Sequence, residues 1–203
     1  MDSNSELDAS HEMSNSHGMI VFVRGLPGSG KTSLSFMVHD SFLDGRVGQI
    51  DPDLVDKNNE SYIDFCRHLK LTNPDVDEKL YMYRYLLGKA KSLLSEAKIV
   101  IWSQPFTGLE NFSYTIEQFR NFSSIDIGDI LVVDILLDKE VARNRMKKRK
   151  ESGGHGPDDE YFDKLANQFQ KADILGYNYL CLDTSFGFEE PLKKILEKIK
   201  ENA

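Results

Sequence analysis

The feature that most constrains this chain is the octapeptide GLPGSGKT at residues 25–32. It fits the Walker A pattern G-x-x-x-x-G-K-[ST], in which a glycine-rich turn lets successive backbone N–H groups converge on phosphate oxygens. The apolar run MIVFVR at 19–24 precedes it, and an amphipathic segment at 31–43 follows it. The sequence therefore predicts a strand, a phosphate-binding loop and a helix in succession, and with them the binding of a nucleoside triphosphate.

The residue types of this loop predict a division of labour. We expect the backbone to bind phosphate groups, the Lys31 ammonium to reach the β- and γ-phosphates, and the Thr32 hydroxyl to bind Mg²⁺. The first turn of the helix adds the positive end of its dipole. The predicted nucleotide-binding residues are Gly25, Leu26, Pro27, Gly28, Ser29, Gly30, Lys31, Thr32 and Ser33.

Length and composition predict one compact domain at 19–203 behind a short tail. The chain has 203 residues, of which 40% are hydrophobic, enough for a core. Residues 1–18 are rich in Ser, Asn and acidic residues and contain no Lys or Arg, so we expect a disordered tail. This segment lacks the basic start and apolar stretch of a secretory signal. No apolar run approaches the roughly 18 residues of a membrane span, and we expect a cytoplasmic protein.

Apolar segments alternate with helical segments along the rest of the chain. This order predicts right-handed crossovers and an α/β fold with a parallel sheet covered on both faces. The predicted strands lie at 19–24, 46–50, 98–102, 130–137 and 178–182. The predicted helices lie at 31–43, 58–71, 75–97, 109–122, 138–151, 158–173 and 189–199.

Two carboxylates follow the second predicted strand in the sequence IDPD. Ligands of parallel sheets bind beyond the carboxyl ends of the strands, so Asp51 and Asp53 are expected to face the γ-phosphate. One would accept the proton of an acceptor hydroxyl, and the other would hold a Mg²⁺-bound water, a role we give to Asp53. An ordinary turn is the alternative, because Asp and Pro both favour turns.

A basic segment follows the fourth predicted strand and predicts a helical lid at about 138–173. Seven Lys or Arg and three Asp or Glu lie between positions 138 and 151. Arg145 and Arg149 are four residues apart, so they share a helix face and suit a transferring phosphoryl group. A solvated basic face is the alternative. The turn GGHGP at 153–157 suits a hinge, and its His155 is more often simply solvated.

Together these motifs resemble the zeta-toxin-like and polynucleotide-kinase-like branch of the P-loop kinases, over most of residues 19–200. The resemblance implies a three-layer fold with a five-stranded parallel sheet in the order 2-3-1-4-5. It also implies ATP and Mg²⁺ as cofactors and phosphoryl transfer to a hydroxyl. It maps the catalytic base to Asp51 or Asp53, and phosphate binding to Arg145 and Arg149.

The third predicted strand departs from this family pattern. Relatives commonly carry an Asp or another small polar residue after it, whereas this chain reads Ser103, Gln104 and, further on, Thr107. These three would make any contact there with substrate or with a metal-bound water. Trp102 is expected in the core. The aromatic segment 106–122 is expected to pack as core, and the alternative is that it lines an acceptor pocket.

The predicted activity is transfer of the γ-phosphoryl group to a hydroxyl of a small molecule or sugar nucleotide. The predicted catalytic residues are Lys31, Asp51, Asp53, Arg145 and Arg149. Two alternatives are a polynucleotide 5′-hydroxyl kinase and an ATPase coupled to a partner. The net charge of −8 does not favour a nucleic-acid partner, and an antitoxin-type protein partner is left open.

The ATPase alternative rests on ILVVD at 130–134, which has the outline of a Walker B segment. The strand is predicted to continue past Asp134, whereas a catalytic carboxylate belongs at the end of a strand. A GTPase is not indicated, because no N-K-x-D sequence occurs.

Cys66 and Cys181 are expected to be buried thiols, and we expect no zinc site. The aromatic helix around Tyr83 is expected either to flank the acceptor or to pack as core.

Overall fold

The computed structural model describes residues 18–96, 98–120 and 127–202. Five parallel strands form one sheet in the order β2-β3-β1-β4-β5, so the predicted fold class is confirmed. The tail at 1–17 and the end of the helix predicted at 109–122 lie outside the described residues. The strands are β1 (Met19–Gly25), β2 (Val47–Ile50), β3 (Ile99–Ser103), β4 (Ile130–Leu136) and β5 (Asn178–Asp183).

Helices cover both faces of this sheet. In β1 the side chains of Ile20 and Phe22 enter one core cluster, and those of Val21 and Val23 enter the other. Burial on both faces is why β1 reads as a continuous apolar run rather than an alternating one. The helices are α1 (Lys31–Asp40), α2 (Glu60–Thr72), α3 (Tyr81–Ser95), α4 (Leu109–Arg120), α5 (Lys139–Glu151), α6 (Asp159–Gln168) and α7 (Glu189–Asn202).

Two predicted helices are shorter than their apolar patterns. The segment predicted at 75–97 opens with a separate 3₁₀ turn, Glu78–Leu80, whose backbone is capped by the Asp77 carboxylate. The segment predicted at 158–173 ends as a helix at Gln168, because Phe169 adopts an extended backbone. In both places a local side-chain or backbone feature stops a pattern that the spacing of apolar residues continues.

The aromatic residues predicted as core lie in one cluster beside β1. Trp102 is fully buried, and its ring centroid lies 6.1 Å from that of Phe22. Phe112 and Phe119 pack edge-on against the Phe22 ring at 5.2 and 5.9 Å. The core predictions for Trp102 and for these phenylalanines are therefore confirmed, and the aromatic segment is fixed against the centre of the sheet.

The prediction of two buried thiols is wrong for Cys181, which is exposed, while Cys66 is partly exposed. Cys181 lies in β5, at the edge of the sheet. Its neighbour Leu182 points into the core and is buried, so the alternation of side chains along a strand turns Cys181 outward. Among the described helices, none is long and apolar enough to cross a lipid bilayer.

Candidate active site

The loop between β1 and α1 has the backbone that its glycines allow. Gly28 and Gly30 have φ angles of +82° and +93°, in the left-handed region that side chains with a Cβ avoid. Gly28 also lies against the lid: a Cβ there would be 2.3 Å from the carbonyl oxygen of Ala142 in α5. The loop and the lid helix are thus in direct backbone contact at this glycine.

The structure brings three of the predicted site residues together at the start of α1. The Thr32 hydroxyl donates to Asp51 Oδ2 at 3.1 Å, and Lys31 Nζ donates to the carbonyl oxygen of Leu26 at 2.9 Å. Burial lowers the pKa of Lys31 to about 8, against the opposing attraction of Asp51 and Asp53. Burial likewise raises the pKa of Asp51. Strand β2 ends at residue 50, so its carboxyl end delivers the Asp51 side chain to the loop.

Asp51 and Asp53 occupy different environments although only one residue separates them. Asp51 is 5% exposed, and its second oxygen, Oδ1, accepts from the backbone N–H of Asp53 at 2.9 Å. This bond caps the short 3₁₀ helix Pro52–Leu54 and turns the chain, so that the Asp53 carboxylate is exposed at the mouth of the same site. Both oxygens of Asp51 are therefore engaged by the protein, and the Asp53 carboxylate faces the open side.

The two helices of the segment predicted to form a lid, α5 and α6, hereafter the lid helices, are held together by ion pairs. Arg143 and Lys139 of α5 both approach Asp163 Oδ1 of α6 at 2.6 Å. Their hydrogen bonds lower the pKa of Asp163 to about 2. Beneath these pairs a small apolar cluster includes Met146, and Leu26 of the phosphate-binding loop packs against it. Arg143 is therefore a structural residue of the lid, and the lid is seated on the loop.

Arg145 and Arg149, the predicted phosphate-binding arginines, both point to the loop side of α5 and line one cavity. Arg145 donates to the backbone carbonyl oxygen of Thr184 at 2.9 Å. Arg149 lies close enough to Lys31 to contribute to its lowered pKa. The turn at 153–157 folds back on α5, so that a Cβ at Gly154 would lie 2.7 Å from the Arg149 side chain.

Thr184 belongs to the site, although sequence reasoning missed it. It is fully buried after β5, and its hydroxyl donates to the Ser29 carbonyl oxygen of the phosphate-binding loop at 2.7 Å. It thus joins the loop to Arg145 of the lid. A threonine directly after the last strand is the one available signal, since polar residues at the carboxyl ends of parallel strands face the ligand side of the sheet.

A cavity of about 890 Å³ opens between the loop, the end of β2 and the lid. This first cavity has a size typical of ligand sites. Both positively charged side chains and the two carboxylates line this cavity. The charged and titratable residues that line it are Lys31, Asp51, Asp53, Arg145, Arg149, His155 and Tyr161.

Asp134, the residue with the Walker B outline, is a buried structural carboxylate. Arg24 Nη1 donates to its Oδ1 at 2.7 Å, and both side chains are fully buried. Its Oδ2 accepts from the Ala172 backbone N–H at 2.8 Å and the Tyr179 hydroxyl at 3.0 Å. Strand β4 continues past Asp134 to Leu136, as predicted, and Asp134 is not among the residues lining the first cavity.

A second cavity of about 580 Å³ lies between α3, α4, the segment after β3 and α6. It meets the first cavity at residues that line both, among them Gln104, Pro105 and Tyr161. Its polar lining carries hydroxyl and amide groups. These polar residues include Tyr83, Gln104, Thr107, Asn111, Thr115 and Gln168. Of the sequence-predicted positions, Tyr83, Gln104 and Thr107 therefore lie here, while Ser103 lines only the first cavity.

Solved structures of kinases share this fold. A candidate kinase from Chloroflexus aurantiacus is 14% identical with a TM-score of 0.65, covering 92% of this chain and 99% of that one. A gluconokinase from Sinorhizobium meliloti is 17% identical with a TM-score of 0.58, covering 91% and 92%. The APS kinase of Mycobacterium tuberculosis, solved with AMPPNP and APS, is 16% identical with a TM-score of 0.55, covering 91% and 98%. These likenesses establish the fold as one found in kinases.

Sequence comparison adds little to the fold likeness. No protein-family model matches the chain. A peptidyl-tRNA hydrolase from Mycoplasma capricolum is 30% identical over 87 residues, which are 39% of this chain and 46% of that protein. The chain thus covers less than half of this relative, and the match assigns no family.

Proposed function

We propose that this protein is an ATP- and Mg²⁺-dependent kinase that transfers the γ-phosphoryl group to a hydroxyl of a small molecule. The observation that carries the proposal is the first cavity. Lys31 and the hydroxyl–carboxylate pair of Thr32 and Asp51 form one wall of it, and Arg145 and Arg149 of the lid form another. Cations that two separate elements bring to one cavity suit a triphosphate whose negative charge spreads during transfer.

The donor set beside Lys31 fits Mg²⁺. Hydroxyl and carboxylate oxygens are the hard ligands that Mg²⁺ prefers, and the ion usually keeps waters and takes only one or two carboxylates beside phosphate oxygens. Thr32 and Asp51 would hold the ion here. When bound, the ion offsets the negative charge of the phosphate groups. Among the described residues, no group of three or more His, Cys, Asp or Glu is placed to hold a metal ion.

The two carboxylates suit different roles. Asp51 is buried with both oxygens engaged, so we assign it to orienting Thr32 and the ion. Asp53 is exposed at the cavity, so we assign it as the base that accepts the proton of the acceptor hydroxyl. From the sequence, Asp53 was expected to make the water-mediated metal contact. The 3.1 Å contact between Thr32 and Asp51 favours Asp51 for the metal side of the site instead.

An acceptor-independent ATPase is the second candidate, and the environment of Asp134 weighs against it. The carboxylate that this mechanism needs is enclosed by Arg24, Ala172 and Tyr179, with both oxygens engaged. The neighbours named above as gluconokinase and APS kinase support transfer to a small molecule. The finer zeta-toxin-like placement remains part of the proposal and rests on the motifs alone.

Transfer from γ-labelled ATP to a panel of hydroxyl compounds tests the proposal. Lys31→Ala should reduce transfer by at least 100-fold, since it removes the buried cation beside the transferred group. Lys57→Ala, at an exposed lysine, is the matched control and should keep wild-type transfer. Wild-type transfer by Lys31→Ala would contradict the proposal.

The two aspartates are separated by a second measurement. Asp51→Asn should weaken the binding of Mg²⁺–ATP in calorimetric titrations, whereas Asp53→Asn should leave that affinity near wild type and reduce kcat. The reverse pattern would exchange the two roles. ATP consumption that is unchanged by adding any acceptor, with no labelled product, would favour the ATPase.

A further inference from the structure

We propose that the acceptor of this kinase is an uncharged polyhydroxy compound, a free sugar or a nucleoside, bound in the second cavity. The inference rests on the proposed function and names its substrate class. It excludes sugar nucleotides, sugar acids and polynucleotide ends, all of which bring a negative charge to the acceptor site.

The second cavity has an uncharged lining. Among the described residues, those that line it include no Asp, Glu, Lys, Arg or His. The first cavity, by contrast, is lined by Lys31, Arg145 and Arg149. The positively charged side chains therefore line the first cavity, where the phosphate groups of ATP are proposed to bind, and not the second. A carboxylate or phosphate in the second cavity would lose water without gaining a charged partner, which is costly.

The polar groups of the second cavity match hydroxyls. Tyr83 and Thr107 offer hydroxyls that can donate and accept, and Asn111 and Gln168 offer amides that do both. The Thr115 hydroxyl donates to the Asn111 carbonyl oxygen at 3.0 Å, which leaves its oxygen as an acceptor. A sugar or nucleoside presents the same mixture of donors and acceptors. The rings in the lining suit the apolar faces of a sugar or a base, and about 580 Å³ is ample for either.

The junction of the two cavities holds polar groups that would face the reacting hydroxyl. Ser103 is 2% exposed, lines the first cavity, and its Oγ has no hydrogen-bond partner among the described residues. Gln104 lines both cavities, and its Oε1 accepts from Trp102 Nε1 at 3.1 Å, which leaves its NH₂ group as the donor. A buried hydroxyl without a partner is uncommon in folded proteins, and the Ser103 hydroxyl is therefore available for a hydrogen bond to a ligand in the first cavity.

The segment after β3, which lines the second cavity, is held in a backbone conformation that it would not adopt alone. Phe106, in the segment after β3, has a φ of +43°, unusual for a bulky residue. The buried Arg24 guanidinium holds it, donating to the Phe106 carbonyl oxygen from Nε at 3.2 Å and from Nη2 at 2.6 Å. Strained backbone that its surroundings enforce is typical of ligand sites. The segment that lines the second cavity is thus held in a defined conformation by specific hydrogen bonds.

Matched acceptor pairs test the charge of the acceptor. Free sugars and nucleosides are each compared with their acidic counterparts: glucose with gluconate, N-acetylglucosamine with its uridine diphosphate derivative, and adenosine with its 5′-monophosphate. We expect labelled phosphate on neutral members, with kcat/KM at least tenfold above that of the acid. Equal transfer within pairs, or transfer to acids alone, would overturn the inference and leave the kinase function standing.

Variants inside and outside the cavity locate the acceptor. Tyr83→Phe should raise the acceptor KM about fivefold, the effect of one lost hydrogen bond of about 1 kcal/mol, with the KM for ATP unchanged. Tyr85→Phe is the matched control, because that ring packs on Tyr62 and Phe65 and lines neither cavity. Asn111→Lys should shift selectivity toward the acid of each pair about tenfold. Unchanged acceptor kinetics in Tyr83→Phe and Asn111→Lys would overturn the assignment of this cavity.

Binding is measured separately from transfer through Trp102 fluorescence. Trp102 is the only Trp, and its indole N–H donates to Gln104 at the junction of the two cavities. Titration with the same compounds therefore reports occupancy without requiring chemistry. Binding of neutral compounds without transfer supports the inference on the ligand class and contradicts the kinase function. Binding of acids alone contradicts the inference.

Discussion

Replacing Asp134 by Asn distinguishes a structural carboxylate from a catalytic one. Asp134 accepts from the Arg24 guanidinium on one oxygen, and from the Ala172 backbone N–H and the Tyr179 hydroxyl on the other. An Asn offers only one acceptor oxygen, so its NH₂ group must face a donor on one side. The substitution also leaves the Arg24 charge buried without its counter-charge, and burial already lowers the pKa of this Arg.

The expected loss in the free energy of unfolding follows from the ion pair and hydrogen bonds that the substitution removes. Breaking a buried ion pair by removing one partner typically costs about 3–5 kcal/mol, because the remaining charge is left without compensation. For a chain of this length, 1 kcal/mol corresponds to about 2–4 °C in Tm. We expect Asp134→Asn to lose about 4 kcal/mol in the free energy of unfolding and about 10 °C in Tm. Arg24→Met should lose a similar amount, and the double variant less than the sum of both, by about 2 kcal/mol.

Guanidinium unfolding followed by circular dichroism and by Trp102 fluorescence measures these losses. Asp75→Asn, at an exposed aspartate, is the control and should stay within about 0.5 kcal/mol of wild type. A stability of Asp134→Asn within about 1 kcal/mol of wild type would contradict a structural role for this carboxylate. If that variant kept its stability and lost Mg²⁺-dependent ATP turnover, Asp134 would be catalytic and the ATPase would be the better function.

Two further substitutions test the seating of the lid and the edge of the sheet. Gly28→Ala places a Cβ 2.3 Å from the Ala142 carbonyl oxygen, so ATP affinity should fall at least tenfold in calorimetry. Gly45→Ala, with φ +70° and no heavy atom within 4 Å, should lose only about 1–2 kcal/mol of stability and keep its ATP affinity. An ATP affinity of Gly28→Ala equal to that of Gly45→Ala would show that the lid does not rest on the loop. With Ellman's reagent, the exposed Cys181 thiol of the native protein should react faster than Cys66, and Cys181→Ser should remove the fast phase; a fast phase that persists would place Cys181 in the interior.

The sequence was most informative where chemistry and local structure coincide. The strand, loop and helix around residues 25–32 follow from glycines and apolar runs that are neighbours in the chain. Asp51 was predicted as a site residue because it follows a strand whose carboxyl end was expected close to the phosphate-binding loop. Cys181 was misjudged because apolar neighbours in a strand indicate burial only when both faces of the strand are covered, and β5 lies at the edge of the sheet.

Contacts between distant positions left no such signal. Thr184 reaches the Ser29 carbonyl oxygen across 155 positions, and Arg24 reaches Asp134 across 110. Neither contact has a period or a spacing that a sequence displays, so both depend on the order of the strands. Once that order places β4 beside β1, Arg24 and Asp134 become register neighbours, and the pair follows directly.

That register explains why a costly buried charge is kept at this point of the chain. Arg24 directly precedes the phosphate-binding loop, and its Nη2 donates to the carbonyl oxygens of both Phe106 and Gln170. One guanidinium therefore joins the strand that carries the loop, the wall of the second cavity and the segment that follows the lid. An apolar pair would fill the same space but would leave those carbonyl groups unbound and the Phe106 backbone free to relax. The geometry between the two cavities thus depends on a residue that lines neither of them.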